Sequence, residues 1–137
     1  MRILAIDYGS KRMGIAVSDE LKLIAQPLEF IPAQPFANFL ARLKTLLREK
    51  EVELIVVGMP RSLDGSYGPA ALQVQDFAAA LKGAVTVPIQ TWDERLTSAQ
   101  ANRFLLQAKV RRRQRRAKVD QTAAALLLQS YLDSLSL

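Results

Sequence analysis

Three acidic residues sit where apolar runs end or begin. Asp7 closes the run Ile3-Leu4-Ala5-Ile6, Glu94 follows a second apolar segment within Asp93-Glu94-Arg95, and Asp120 heads the apolar stretch near the C-terminus. Just before Asp120, seven of the ten residues from Lys109 to Lys118 are cationic: Lys109, Arg111, Arg112, Arg113, Arg115, Arg116 and Lys118. Acids from separate segments beside a dense phosphate grip form the pattern of a metal-dependent nuclease. Clustered carboxylates repel, and one would ordinarily take up a proton. Divalent cations remove that conflict, and a pair about 3.5–4 Å apart can serve both the attacking and the leaving oxygen of a phosphodiester. The chain has no histidine and no cysteine, which excludes a Ser-His-Asp triad, a histidine-metal site, a zinc site of ordinary make-up and all thiol chemistry. Oxygen-only ligands point to a hard cation, Mg²⁺ or Mn²⁺.

Each of these residues also has a plainer reading. Asp before Tyr8-Gly9 suits a turn, Glu94 and Arg95 suit a surface ion pair, and Asp120 suits a helix N-terminus through the dipole. Lys11, Arg12 and Arg95 flank the acids, either as phosphate contacts or as ordinary surface cations. The charge distribution favours the functional reading. Residues 1–100 hold 11 Lys/Arg and 11 Asp/Glu, whereas residues 101–137 hold 8 and 2, so the whole excess of +6 lies in the last quarter. A local block of this kind suits nucleic acid or an anionic membrane, where a dispersed excess would indicate little beyond solubility; its plain alternative is a solvated loop. No strand alternates basic and aromatic residues, so sequence-specific base reading finds no support. The loop Gly58-Met59-Pro60-Arg61-Ser62-Leu63-Asp64-Gly65-Ser66 lacks the Lys-Ser/Thr of a phosphate-binding P-loop, and either lines the site or is a plain surface loop.

The elements that must position these residues follow from periodicity. Residues 2–7 and 14–18 read as two strands of a hairpin, joined by turn material at 8–11. Residues 23–30 form a candidate third strand that Pro27 assigns to a sheet edge. Phe36, Phe39, Leu40, Leu43, Leu46 and Leu47 recur at helical spacing and predict a helix over about 35–50. Leu54-Ile55-Val56-Val57-Gly58 suits a parallel strand covered on both faces. Residues 59–69 are loop, 70–81 an Ala-rich helix ended by Gly83, and 85–91 another strand. Thr97-Ser98-Ala99-Gln100 is a capping-box pattern opening a helix to about residue 108, and 119–135 form a final helix with Asp120 in its first turn. At 137 residues, half of them apolar and without repeats or linkers, the chain reads as one α/β domain, a mixed sheet sandwiched by helices. No apolar run approaches the ~20 residues that cross a bilayer, and no signal peptide is evident.

Four blocks together resemble the YqgF/RuvX family: the opening from Asp7 to Asp19, Val57-Gly58-Met59-Pro60 with Asp64-Gly65-Ser66, the stretch from Asp93 to Ala99, and the stretch from Lys118 to Ala124. They occur in the family's order and span almost the whole chain. The resemblance implies a ribonuclease H-like fold with a mixed five-stranded sheet and helices on both faces. It also implies a cytoplasmic nuclease that processes the 5′ end of precursor 16S ribosomal RNA with Mg²⁺ or Mn²⁺, Holliday-junction resolution being an older reading by analogy. Carried over by position, Asp7, Glu94 and Asp120 would be the metal-binding, catalytic acids. One departure stands out. Many members of the wider superfamily carry an acid at the end of the fourth strand, where this chain has Gly58-Met59. Glu94 must then reach from the strand beyond, roughly 10 Å from the first at ~4.8 Å per strand. Asp93 and Asp64 are alternative ligands.

Two other classes compete with a nuclease. A non-catalytic RNA-binding assembly factor would need only the basic block. A sugar or acetate kinase fragment would share the Asp7-Tyr8-Gly9 opening, but the chain is too short for two domains and has no second Asp-x-Gly loop. A resolvase of symmetric junctions would need two sites and hence a homodimer.

Overall fold

The computed structural model describes residues 1–60, 68–94 and 122–135. Strand β1 (Arg2–Asp7) is buried on both faces, with Leu4 and Ile6 on one side and Ile3 and Ala5 on the other. It turns into the antiparallel β2 (Arg12–Ser18), in register from Leu4↔Val17 to Asp7↔Gly14. The turn is so tight that a Cβ on Gly9 would collide with the Arg12 carbonyl oxygen. β3 (Ala25–Pro32) pairs antiparallel with β2 at the sheet edge, the place Pro27 assigns to it. β4 (Val52–Met59) lies parallel to β1, and β5 (Ile89–Asp93) parallel to β4, giving the order β3-β2-β1-β4-β5.

Helices cover both faces. α1 (Phe36–Glu49) turns Phe39, Leu43, Leu46 and Leu47 inward, and α2 (Pro69–Lys82), with proline in its first turn, turns in Val74, Phe77 and Leu81. Both pack on the face carrying Leu4, Ile6, Ile55 and Val57. On the opposite face, α3 (Ala123–Leu135) lays Ala124, Leu127, Leu128, Tyr131 and Leu132 over Ile3, Ala5, Ala16 and Val56. Each such leucine contributes about 1.5–3 kcal/mol on burial. Polar ties fix the register of α3. Trp92 Nε1 donates to Ser130 Oγ at 3.0 Å, the Trp92 and Tyr131 rings meet edge to face at 5.2 Å, and Gln129 accepts from Ala25 N and donates to Leu23 O, each at 2.9 Å.

The edge strand expected over 23–30 runs from Ala25 to Pro32, and two other expected boundaries shift further. The strand expected over 85–91 runs instead from Ile89 to Asp93, because Pro88 has no N–H to donate; its carbonyl accepts from Ile55 N at 2.9 Å, and the ladder starts only after it. Val85 and Val87 pack on the core from the preceding loop instead. The last helix begins at Ala123 rather than 119. Thr122 is its cap, with Oγ1 accepting from Ala125 N at 3.2 Å and its carbonyl from Leu126 N at 3.1 Å. Asp120, expected in the first turn, precedes that cap in sequence and lies outside the described residues. The helix expected from Thr97 and the basic stretch lie outside them too. No described helix is long and apolar enough to cross a membrane.

Candidate active site

Strand alternation assigns the chemistry to one face. Along β1, Tyr8 packs its ring on Phe77, 5.2 Å away on the α1/α2 side, so Asp7 faces the α3 side with Ala5 and Ile3. Along β5, Gln90 and Trp92 both bond to α3, through Tyr131 OH and Ser130, and Glu94 continues their face just past the strand end. Asp93, the alternative ligand, takes the other side of the pleat. Asp64, the second alternative, lies outside the described residues.

Gly58 explains how Glu94 spans the intervening strand. The pairing Ile6↔Val57 brings Gly58 level with Asp7, on the same face as Val56. A Cβ there would sit 2.7 Å from Glu94 Oε1, 3.2 Å from Glu94 Cγ and 3.1 Å from Leu127 Cδ2. The Glu94 carboxylate therefore lies across β4 in the space a side chain would fill. The missing acid at the end of the fourth strand is thus a notch: β4 carries no side chain there, and the acid of the next strand leans through the opening. A lone glycine ending the apolar run Leu54-Ile55-Val56-Val57 marks a point where another group can approach the strand, but not which group.

The electrostatics agree with convergence. Burial pushes the Asp7 carboxyl above its ordinary range. Burial pushes Glu94 up as well, with the charge of Asp7 adding to it and that of Asp93 adding less. Two half-buried carboxylates, one of them raised further by the charge of the other, favour a proton or a cation between them. Their oxygen-only donor set, in a chain without histidine or cysteine, suits a hard divalent ion. Among the described residues no group of three or more acids forms, so Asp7 and Glu94 stand as a pair. The start of α3 closes the other flank, with Ala124 Cβ and Asp7 Cβ lying 3.5 and 3.6 Å from where a Gly14 Cβ would be.

Of the expected cations, Lys11 and Arg12 are exposed at the β1–β2 turn, close to Asp7 in sequence. Arg95, Lys109, Arg111, Arg112, Arg113, Arg115, Arg116 and Lys118 lie outside the described residues.

The chain is similar to known proteins over almost its whole length. The protein from Moorella thermoacetica named "Putative pre-16S rRNA nuclease" is 47% identical over 135 residues, covering 98% of this chain and 96% of its own. The proteins of the same name from Geobacillus kaustophilus and Halothermothrix orenii are 46% and 42% identical over 136 and 133 residues, covering 98% and 97% of this chain and 99% and 95% of their own. Among solved structures, the fowlpox virus Holliday junction resolvase superposes with a TM-score of 0.53 at 14% identity, covering 98% of this chain and 99% of that one. That likeness concerns the fold, which is ribonuclease H-like. A family profile described as "RuvX: Holliday junction resolvase" matches residues 1–134, a span that takes in the hairpin acid, the glycine notch and Glu94, and the chain belongs to that family.

Proposed function

We propose that the chain is a metal-dependent nuclease that hydrolyses phosphodiesters of structured RNA, acting in the cytoplasm at the 5′ end of precursor 16S ribosomal RNA. The observation that carries the reading is the Glu94 carboxylate lying through the Gly58 notch toward Asp7, both acids desolvated and coupled in charge. The names of the full-length relatives support the substrate class.

Asp7 and Glu94 would hold Mg²⁺ or Mn²⁺, with Asp120 as a third ligand. Asp120 stands two residues ahead of the Thr122 cap in sequence, and it is the family resemblance that assigns it this role. Held there, a divalent ion would supply Lewis-acid charge to a phosphate. The chain's own contribution is positioning and exclusion of water. Leu127 walls the pair and raises the cost of leaving the carboxylates uncompensated. Lys11, Arg12 and Arg95 flank the acids in sequence and would contact phosphates on either side of the scissile one. The block from Lys109 to Lys118 would hold the remaining backbone, and the whole chain would act as a single nuclease domain.

A cleavage panel tests this reading. Precursor ribosomal RNA, single strands, duplexes and four-way junctions are incubated with protein in Mg²⁺ or Mn²⁺. Cleavage of the precursor that EDTA stops and Asp7→Asn abolishes is the expected result. The family's own description favours one second reading, resolution of branched DNA, with a homodimer to cut both strands. Preferential cutting of the junction would establish it. RNA binding with turnover indifferent to Asp7→Asn would leave a non-catalytic assembly factor.

A further inference from the structure

We propose that Phe30, with Arg12 stacked on it, is the platform that receives an unpaired nucleobase of the strand being cut. The inference rests on the nuclease reading and adds a subsite to it. The pairings Asp7↔Gly14 and Gly14↔Phe30 set these residues in one row across β1, β2 and β3. Asp7 and Phe30 share a glycine between them: Phe30 Cε1, Ala124 Cβ and Asp7 Cβ lie 3.4, 3.5 and 3.6 Å from the point a Gly14 Cβ would occupy. Gly14 puts no side chain of β2 between the acid and the ring, and the buried Ala124 of α3 borders the gap between them.

Phe30 is 48% exposed, on the α3 side of the sheet, although it lies beside a buried apolar layer that could have covered it. The Arg12 guanidinium carbon lies 4.3 Å from its ring centre. A ring and a guanidinium plane are the two surfaces on which unpaired bases stack, and the cation also attracts the phosphate that follows the base. A duplex base has both faces covered already, so the ligand is an unpaired base one nucleotide step from Asp7. Stacking of this kind tolerates any base, consistent with a sequence that offers no base-specific readout. Sequence periodicity could not reveal the pair, because Arg12 and Phe30 sit on different strands and meet only through the β2–β3 register.

The test uses Asp7→Asn protein, which should bind without cutting, in Mg²⁺. The probe is an unstructured eight-nucleotide RNA, intact or with one abasic site walked along it, read by fluorescence anisotropy. Removing a stacked base or its ring costs roughly tenfold to a hundredfold in affinity. Phe30→Ala and Phe30→Leu should each weaken the intact probe by that factor, and Phe30→Trp should restore it. One abasic position should weaken binding to Phe30 protein by the same factor and make no further difference to Phe30→Leu. A thermal melt of each variant controls for folding, and Phe30→Leu keeps the apolar bulk. Unchanged affinity in Phe30→Leu, an abasic penalty that persists in it, or no binding of the probe by any variant overturns the platform. Cleavage of precursor RNA by wild-type protein is scored separately. Cleavage without stacking coupling rejects the platform alone, and coupling without cleavage rejects the nuclease reading alone.

Discussion

Replacing Gly58 with alanine should separate activity from stability. The added methyl would lie 2.7 Å from Glu94 Oε1 and 3.2 Å from Glu94 Cγ, inside the 3.5–4.0 Å at which such atoms rest. The Leu127 methyl, at 3.1 Å, must also give by a few tenths of an ångström. The glutamate is the softer neighbour, because its carboxylate is the far end of a flexible chain. It should retreat by roughly 0.5–1 Å, and a displacement of that size near reacting atoms costs up to about 100-fold in rate. The fold should hardly notice. Alanine in a strand gains about 0.5–1 kcal/mol over glycine, which offsets most of a mild overpacking cost. The assay pairs cleavage of precursor RNA in Mn²⁺ with a thermal melt and with calorimetric Mn²⁺ binding. A 10- to 100-fold loss of rate, about 1.4–2.7 kcal/mol of barrier, with a melting temperature near wild type is the expected result. Weaker Mn²⁺ binding should accompany it. In a Glu94→Gln background the same substitution should cost little more, since the group it displaces is already disabled. Full activity and Mn²⁺ affinity in a folded Gly58→Ala protein, or an equal loss in the Glu94→Gln background, would refute the notch.

Three further outcomes follow from the acids of the site and from the basic block of the sequence. Asp7→Asn should raise the melting temperature of ion-free protein at pH 7 while abolishing cleavage. Burial holds both carboxyls above their ordinary values of 3.8 and 4.5, and the charge of Asp7 raises Glu94 further, so each charged form destabilises the fold above its raised pKa. Discounted for solvent screening, the gain is on the order of 1 kcal/mol, or about 2–5 °C. That advantage should shrink as pH falls through the raised values toward 4, because protonation relieves wild type of the same repulsion; an advantage that grows on acidification would refute the coupling. Mn²⁺ or Mg²⁺ should raise the wild-type melting temperature, by about 2.7 kcal/mol of stability at 100 times the dissociation constant, with little effect on Asp7→Asn and full reversal by EDTA. Neutralising Arg111, Arg112, Arg113, Arg115 and Arg116 together should flatten the salt dependence of RNA binding. The slope of log affinity against log salt should drop by ~0.7 for each single-strand phosphate that these arginines no longer neutralise, and an unchanged slope would remove the block from the interface.

The frame of this site was legible in the chain because its parts obey local rules. An apolar run ending in Asp7, the turn glycine at 9 and the β-branched run before Gly58 each carry their own period or punctuation, and all three form the expected strands and hairpin. Pro27 marks the edge strand through its missing donor. Pro88 carries the same signal for the start of β5, and there the apolar Val85 and Val87 mask it, because core packing and ladder pairing favour the same residue types. The start of α3 departs from its expected place for a related reason: Val119 extends the helical apolar pattern, whereas the cap is set by a single hydroxyl, that of Thr122.

What the chain could not reveal is what depends on register. A glycine at 58 looks like the absence of a ligand until β5 is set beside β4 and Glu94 is found in the vacated volume. Gly14 looks like a weak point of β2 until it is paired with Asp7 on one side and Phe30 on the other. In both cases a missing side chain in one strand sets the position of a working side chain in its neighbour. Volume on a sheet face is shared across strands, so an acid that sits one strand farther out than usual can still reach the first, provided the strand between them gives up its Cβ. That exchange makes a testable demand on the family: a chain with any larger residue at the position of Gly58 should have to carry its second acid on β4 itself.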